Sequence, residues 1–102
     1  MSPRRREVRL LRSAEDDLND IVSYIALDDV TAAEALVLKI ENKLSRLADH
    51  PHLGRIPSEE ELKALGYRYL IIDNYLAFYT ITDRSILIHR ILHGARDYIG
   101  LL

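Results

Sequence analysis

Four histidines, six tyrosines and a scatter of arginines are the side chains of this 102-residue sequence best suited to chemistry. His89 and His93 stand four apart. On a β-strand that spacing separates them by roughly 13 Å, too far to share a metal ion. The chain has no cysteine, which excludes thiolate metal sites and disulfides. Neither a metal nor a cofactor is therefore expected. An imidazole titrates near neutral pH, so His93 is the candidate for proton transfer. Arg68 and Arg90 are cations that either meet an anion or simply decorate a sheet surface. Tyr75 and Tyr79 read more readily as core or interface aromatics than as catalytic groups. His50 and His52 flank Pro51 and are expected to be solvated. Glu59-Glu60-Glu61 reads as a solvated turn, and Arg4-Arg5-Arg6 as a frayed tail.

Composition narrows the classes. A formal net charge of −2, with a pI near 6.1, argues against a surface devoted wholly to phosphate. From Leu62 onward, five basic residues (Lys63, Arg68, Arg84, Arg90, Arg96) outnumber three acidic ones (Asp73, Asp83, Asp97). That leaves room for a basic face on the C-terminal half. The hydrophobic content of 48% is that of a folded protein, and the length suits a single domain over 1–102. No apolar run approaches the roughly 20 residues that span a bilayer. The basic start is followed by interspersed charges, without the apolar region of a signal peptide.

The elements that must position these side chains are legible from periodicity. Val8, Leu10 and Arg12 alternate with Arg9 and Leu11, as in a first strand of about six residues. Ser13 with Asp16 reads as a capping box. Leu18, Ile21, Val22 and Ile25 then form one helical stripe. Asp28-Asp29 closes that helix. Thr31 with Glu34 opens a second, carrying Leu36, Val37, Ile40, Leu44 and Leu47, and Asp49-His50-Pro51 ends it. The short link makes the two helices antiparallel neighbours. Beyond a looser segment, residues 67–72, 75–82 and 86–93 read as strands joined at Asp73-Asn74 and Asp83-Arg84. The order β-α-α-β-β-β is that of an α+β fold, a helical hairpin packed on an antiparallel sheet.

If both turns are two-residue hairpins, Ile72 pairs with Tyr75 and Thr82 with Ser85. Arg68 then lies opposite Tyr79, Tyr79 lies beside Ile88, and Ala77 stands between Leu70 and Arg90. Arg68, Tyr79 and Arg90 would share one face, with Phe78, His89 and His93 on the other. Both faces carry many apolar residues, so the one without helices is expected to need a cover. A partner segment or a second copy would supply it.

The segment Asn74-Tyr75-Leu76-Ala77-Phe78-Tyr79, followed by Ile91-Leu92-His93-Gly94-Ala95-Arg96-Asp97-Tyr98, resembles the C-terminal half of RelE/ParE toxins. The stretch His50-Pro51-His52-Leu53-Gly54-Arg55 resembles the same family's link into the sheet. Each motif is weak alone. Together, in order and with element order and length agreeing over nearly the whole chain, they are a strong signal. The resemblance implies a cytoplasmic toxin of a type II toxin–antitoxin system, neutralised by a cognate antitoxin and assembling as a homodimer or a toxin–antitoxin heterotetramer.

The superfamily holds two chemistries. RelE-like members cleave messenger RNA in the ribosome; ParE-like members poison DNA gyrase and are not regarded as enzymes. Cleavage by a 2′-hydroxyl needs a base, a cation on the phosphate and an acid. The resemblance would assign these tasks to Arg68, Arg90, His93 and Arg96. RelE-like toxins place an Arg directly after the first Tyr of the Tyr-x-x-x-Tyr strand, where this chain has Leu76. They often carry a second basic residue on the preceding strand, where it has Leu70. Losing one transition-state donor costs about 10²–10³ in rate, so two such losses favour the ParE-like branch. In that branch Tyr75, Tyr79, Arg96 and Tyr98 are the expected target- or antitoxin-binding residues. A third reading is a non-toxic module that only holds an antitoxin-like peptide.

Overall fold

The computed structural model describes residues 5–94 and 99–102. The chain runs β1 (Glu7–Leu10), α1 (Arg12–Ala26), α2 (Val30–Ser45), a 3₁₀ turn (Arg46–Ala48), α3 (Glu60–Ala64), β2 (Arg68–Ile72), β3 (Tyr75–Ile81), β4 (Ser85–His93) and a second 3₁₀ turn (Ile99–Leu101). The helical hairpin and the three-stranded antiparallel meander are those expected. β1 joins the meander's outer edge in parallel, Glu7 beside Ser85 and Leu10 beside Ile88, which makes a four-stranded mixed sheet ordered β1-β4-β3-β2.

Both helix starts differ from the expected capping boxes. α1 begins at Arg12 without a side-chain cap. The Leu11 amide still bonds to Ile88 of the sheet while the Leu11 carbonyl already accepts from Glu15. The strand thus runs straight into the helix, and Ser13 lies inside the first turn. α2 is capped by Asp29, whose Oδ1 accepts from the Ala32 amide at 3.0 Å. Asp is the stronger capping residue, and it stands two positions ahead of Thr31.

The α1 stripe (Leu18, Ile21, Ile25) and the α2 stripe (Leu36, Ile40, Leu44, then Leu47) close on one sheet face. There they meet Leu70, Ile72, Ala77, Tyr79, Ile86, Ile88 and Ile91. The opposite face does not lie open as expected. Leu62 of α3 joins Phe78 and Leu92 in a second buried cluster, with Tyr67, Tyr69, Leu76, Leu101 and Leu102 packed around it. The chain roofs its own second apolar face, so that face gives no argument for a partner.

Register follows the expected hairpins as far as Ile88. Arg68 lies opposite Tyr79, and Tyr79 opposite Ile88. A β-bulge then intervenes: Phe78 pairs with Arg90 and Ala77 with Ile91, leaving His89 as the extra residue. One additional residue exchanges the faces of everything beyond it. Arg90 therefore leaves the face of Arg68 and Tyr79. His93, opposite Tyr75, leaves the face of Phe78 and His89.

Candidate functional site

Tyr79 is fully buried at the centre of the sheet, beneath loop 51–55. Its hydroxyl donates to the Pro51 carbonyl and accepts from the Gly54 amide, both at 2.8 Å. Burial raises the phenol's pKa, an effect opposed by the Gly54 bond and the nearby Arg68 charge. Arg68 grips the same loop, donating to the carbonyls of Gly54 at 2.9 Å and His52 at 3.3 Å. Arg55 completes the attachment by exchanging both backbone bonds with Tyr69. The loop lies so close to the sheet that only glycine fits at 54. A Cβ there would stand 2.6 Å from the Tyr79 ring and 2.8 Å from the Tyr69 carbonyl.

Arg90, carried across by the bulge, forms a two-pronged pair with Asp17 of α1. Nε meets Oδ2 at 2.7 Å and Nη2 meets Oδ1 at 2.8 Å, with only 21% and 13% of the side chains exposed. Oδ2 also accepts the Ile91 amide at 3.0 Å, on the side of β4 that β1 no longer covers. Nη1 of Arg90 donates to the Leu101 carbonyl at 2.9 Å. One guanidinium thus fastens α1, the sheet and the C-terminal segment together, and the bond to Asp17 raises its pKa. The displaced residue, His89, bonds Thr80 through Nε2 at 2.8 Å and lies 3.4 Å from the Tyr67 hydroxyl through Nδ1. Burial lowers its pKa.

The remaining described candidates meet at the far end of the sheet. The Tyr75 and His93 rings stand edge to face with centroids 5.6 Å apart. They line a cleft of about 130 Å³ together with Asp17, Asp20, Ile21, Ile91 and Leu92. Among the described residues no lysine or arginine lines that cleft, and Asp20 has no cationic partner. Arg96 and Tyr98 lie outside the described residues. The structure thus unites Tyr75 with His93 and Arg68 with Tyr79, and sets Arg90 apart from both pairs.

Sequence reasoning missed Asp17 and Gly54. Asp17 sits among the solvated acids of α1's first turns, and neither its type nor its spacing marks it as the partner of Arg90. Gly54 had a usable signal: it lies within the motif stretch 50–55 and three residues past Pro51, where a glycine points to close backbone approach.

Among the described residues no helix is long and apolar enough to cross a membrane. No protein of curated function matches the chain in sequence, whereas twelve chains of known structure match it. One, described as the chromosomal ParDE toxin–antitoxin system from P. aeruginosa, superposes with a TM-score of 0.73 at 22% identity. The match covers 89% of this chain and 98% of that one. At that identity the likeness speaks for the fold. Family membership comes from the sequence profile of the ParE toxin of type II toxin–antitoxin systems (parDE), which matches residues 8–98. The bulge, the loop gripped beneath Arg68 and the clamp on α1 therefore belong to a member of the ParE toxin family.

Proposed function

We propose that this chain is the toxin of a type II toxin–antitoxin pair, that it acts in the cytoplasm by inhibiting DNA gyrase rather than by cutting RNA, and that a cognate antitoxin neutralises it. The observation that carries this reading is where the arginines are engaged. Arg68 is taken up by two loop carbonyls and Arg90 by Asp17. A phosphate stabiliser must be aimed at where charge develops in the transition state. These two are aimed at their own backbone and at a carboxylate. The cleft beside His93 is lined by Asp20, whose charge repels a phosphodiester, and by Asp17, which is already paired with Arg90. Of the four residues a ribonuclease would require, Arg68 and Arg90 are thus committed to the protein's own groups, and Leu76 stands where RelE-like relatives carry a cation.

The test uses purified components. Added to gyrase, supercoiled plasmid and ATP, the chain should block supercoiling or trap cleaved DNA, and added antitoxin should reverse the effect. In a translating extract it should leave message ends unchanged. Codon-phased cuts with gyrase unaffected would replace this reading with the RelE-like one. Inertness in both assays would leave a non-toxic antitoxin-binding module. Light scattering on the purified pair would decide between one toxin per assembly and two.

A further inference from the structure

β2 is an edge strand, and one rung of it is open. Tyr69 turns both backbone groups outward, to Arg55. By the alternation of an antiparallel ladder, Ile71 also faces outward. Loop 51–55 follows the edge for that single rung and then splays away. The gap is a cleft of about 230 Å³ lined by Lys43, Arg46, Leu53, Arg55, Tyr69 and Ile71, among others. Edges are normally blunted by proline, a bulge or a cover. Here, among the described residues, the Ile71 carbonyl meets only the Lys43 ammonium at 3.3 Å, and the residues Ile71 and Leu53 are 42% and 49% exposed. Lys43, Arg46 and Arg55 have no carboxylate partner among the described residues. Three unpaired cations around one cleft are notable in a chain of net charge −2.

We propose that this edge docks an extended acidic segment of a protein partner, which adds to β2 as a further strand. Its backbone bonds Ile71 in place of the lysine. The residue paired with Ile71 is apolar and lies on that side chain's face. Its two neighbours point toward α2, where carboxylates meet Lys43 and Arg46, with Arg55 flanking. The pattern recognised is acidic–apolar–acidic. A second copy of this chain is disfavoured as the occupant, because edge-to-edge pairing would bring both sets of cations together. A nucleic acid would use the cations but neither the open backbone groups nor the apolar side chains. Nothing at this edge depends on the chain being a toxin.

The test is an amide-shift titration of the full ¹⁵N-labelled chain with a blocked octapeptide alternating valine and glutamate. The expected result is saturable shifts at Ile71, in 53–55 and in 43–46, weakening as salt is raised. The valine–lysine octapeptide and a single-stranded oligonucleotide should bind more weakly. K43E/R46E/R55E should lose about tenfold or more in affinity and should now prefer the lysine peptide. R46E alone, a change at an exposed unpartnered side chain, should shift affinity in the same direction should the triple variant not fold. The proposal is overturned by an absence of shifts at Ile71 up to about 1 mM peptide, by shifts confined to another surface, or by equal or tighter binding of the lysine peptide or the oligonucleotide.

Discussion

Replacing Tyr79 by phenylalanine separates a structural from a chemical role for its hydroxyl. The ring is fully buried, so phenylalanine keeps the packing and removes one oxygen. With it go two hydrogen bonds of 2.8 Å, one to the Pro51 carbonyl and one from the Gly54 amide. A typical intramolecular hydrogen bond contributes about 0.5–1.5 kcal/mol net, and a buried group left without a partner costs about 1–3 kcal/mol. Gly54 is buried, whereas Pro51 is half-buried and within reach of water. The amide should therefore dominate, and the expected loss is about 2 kcal/mol.

For a chain of this size that corresponds to a melting temperature lower by roughly 10 °C. Urea denaturation followed by circular dichroism would read it as a shifted midpoint at unchanged slope, and hydrogen exchange would show the Gly54 amide deprotected. Because burial raises the Tyr79 pKa above the ordinary 10.0, the protonated phenol belongs to the fold. Its contribution is present below pH 10 and lost as pH rises through the folded value. A Tyr79→Phe protein within about 0.5 kcal/mol of wild type, yet impaired in its activity on the target, would refute the structural account and make the hydroxyl a functional group.

Three further outcomes follow from the same contacts. Asp17→Ala strands the Arg90 guanidinium and the Ile91 amide, and should cost about 2–4 kcal/mol. That is less than a fully buried pair would lose, since some solvent reaches both side chains. Arg90→Ala on top of it should add little, and a double-mutant cycle with coupling near zero would show the two to be independent. Gly54→Ala forces a methyl to 2.6 Å from Tyr79 and should destabilise by about 1–3 kcal/mol; a neutral result in urea melts would mean the loop moves freely off the sheet. His89 has its pKa lowered from 6.5 by burial, so the unfolded chain binds the extra proton first. Stability should decline as pH falls from 6.5 toward the folded value. His89→Gln should flatten that part of the pH profile, and an unchanged profile would assign it to other groups.

Elements with strong periodicity were legible from the sequence. The 3.6-residue stripes of α1 and α2 and the three β-branched runs of the sheet appear where expected, and Asp73-Asn74 turns the chain with Asp73 at a φ of +53°, a conformation Asp tolerates. Helix starts were less legible, because capping is a competition among neighbouring residues and Asp29 outcompetes Thr31. The parallel addition of β1 could not be read at all: four residues say nothing about which edge they join. The cover on the second sheet face was missed for a related reason. Leu62 and the terminal Leu101-Leu102 sit in segments with no periodicity long enough to announce burial.

The bulge at His89 has the largest consequence for function, although it is a matter of one residue. Counting from the Asp83-Arg84 turn puts Arg90 beside Tyr79 and Arg68, and that trio resembles a cationic surface prepared for a phosphate. With His89 inserted, Arg90 turns to the strand edge that β1 has left uncovered and closes it through Asp17. The histidine itself is held where it lands by Thr80 and Tyr67, so the slip is built in by specific bonds. Arg68, left behind, faces loop 51–55, whose carbonyls absorb its donors. A sheet that commits both arginines to its own backbone and helices aims neither of them at RNA. That distribution of donors, more than any single missing residue, is what the proposal of action through an interaction surface rests on.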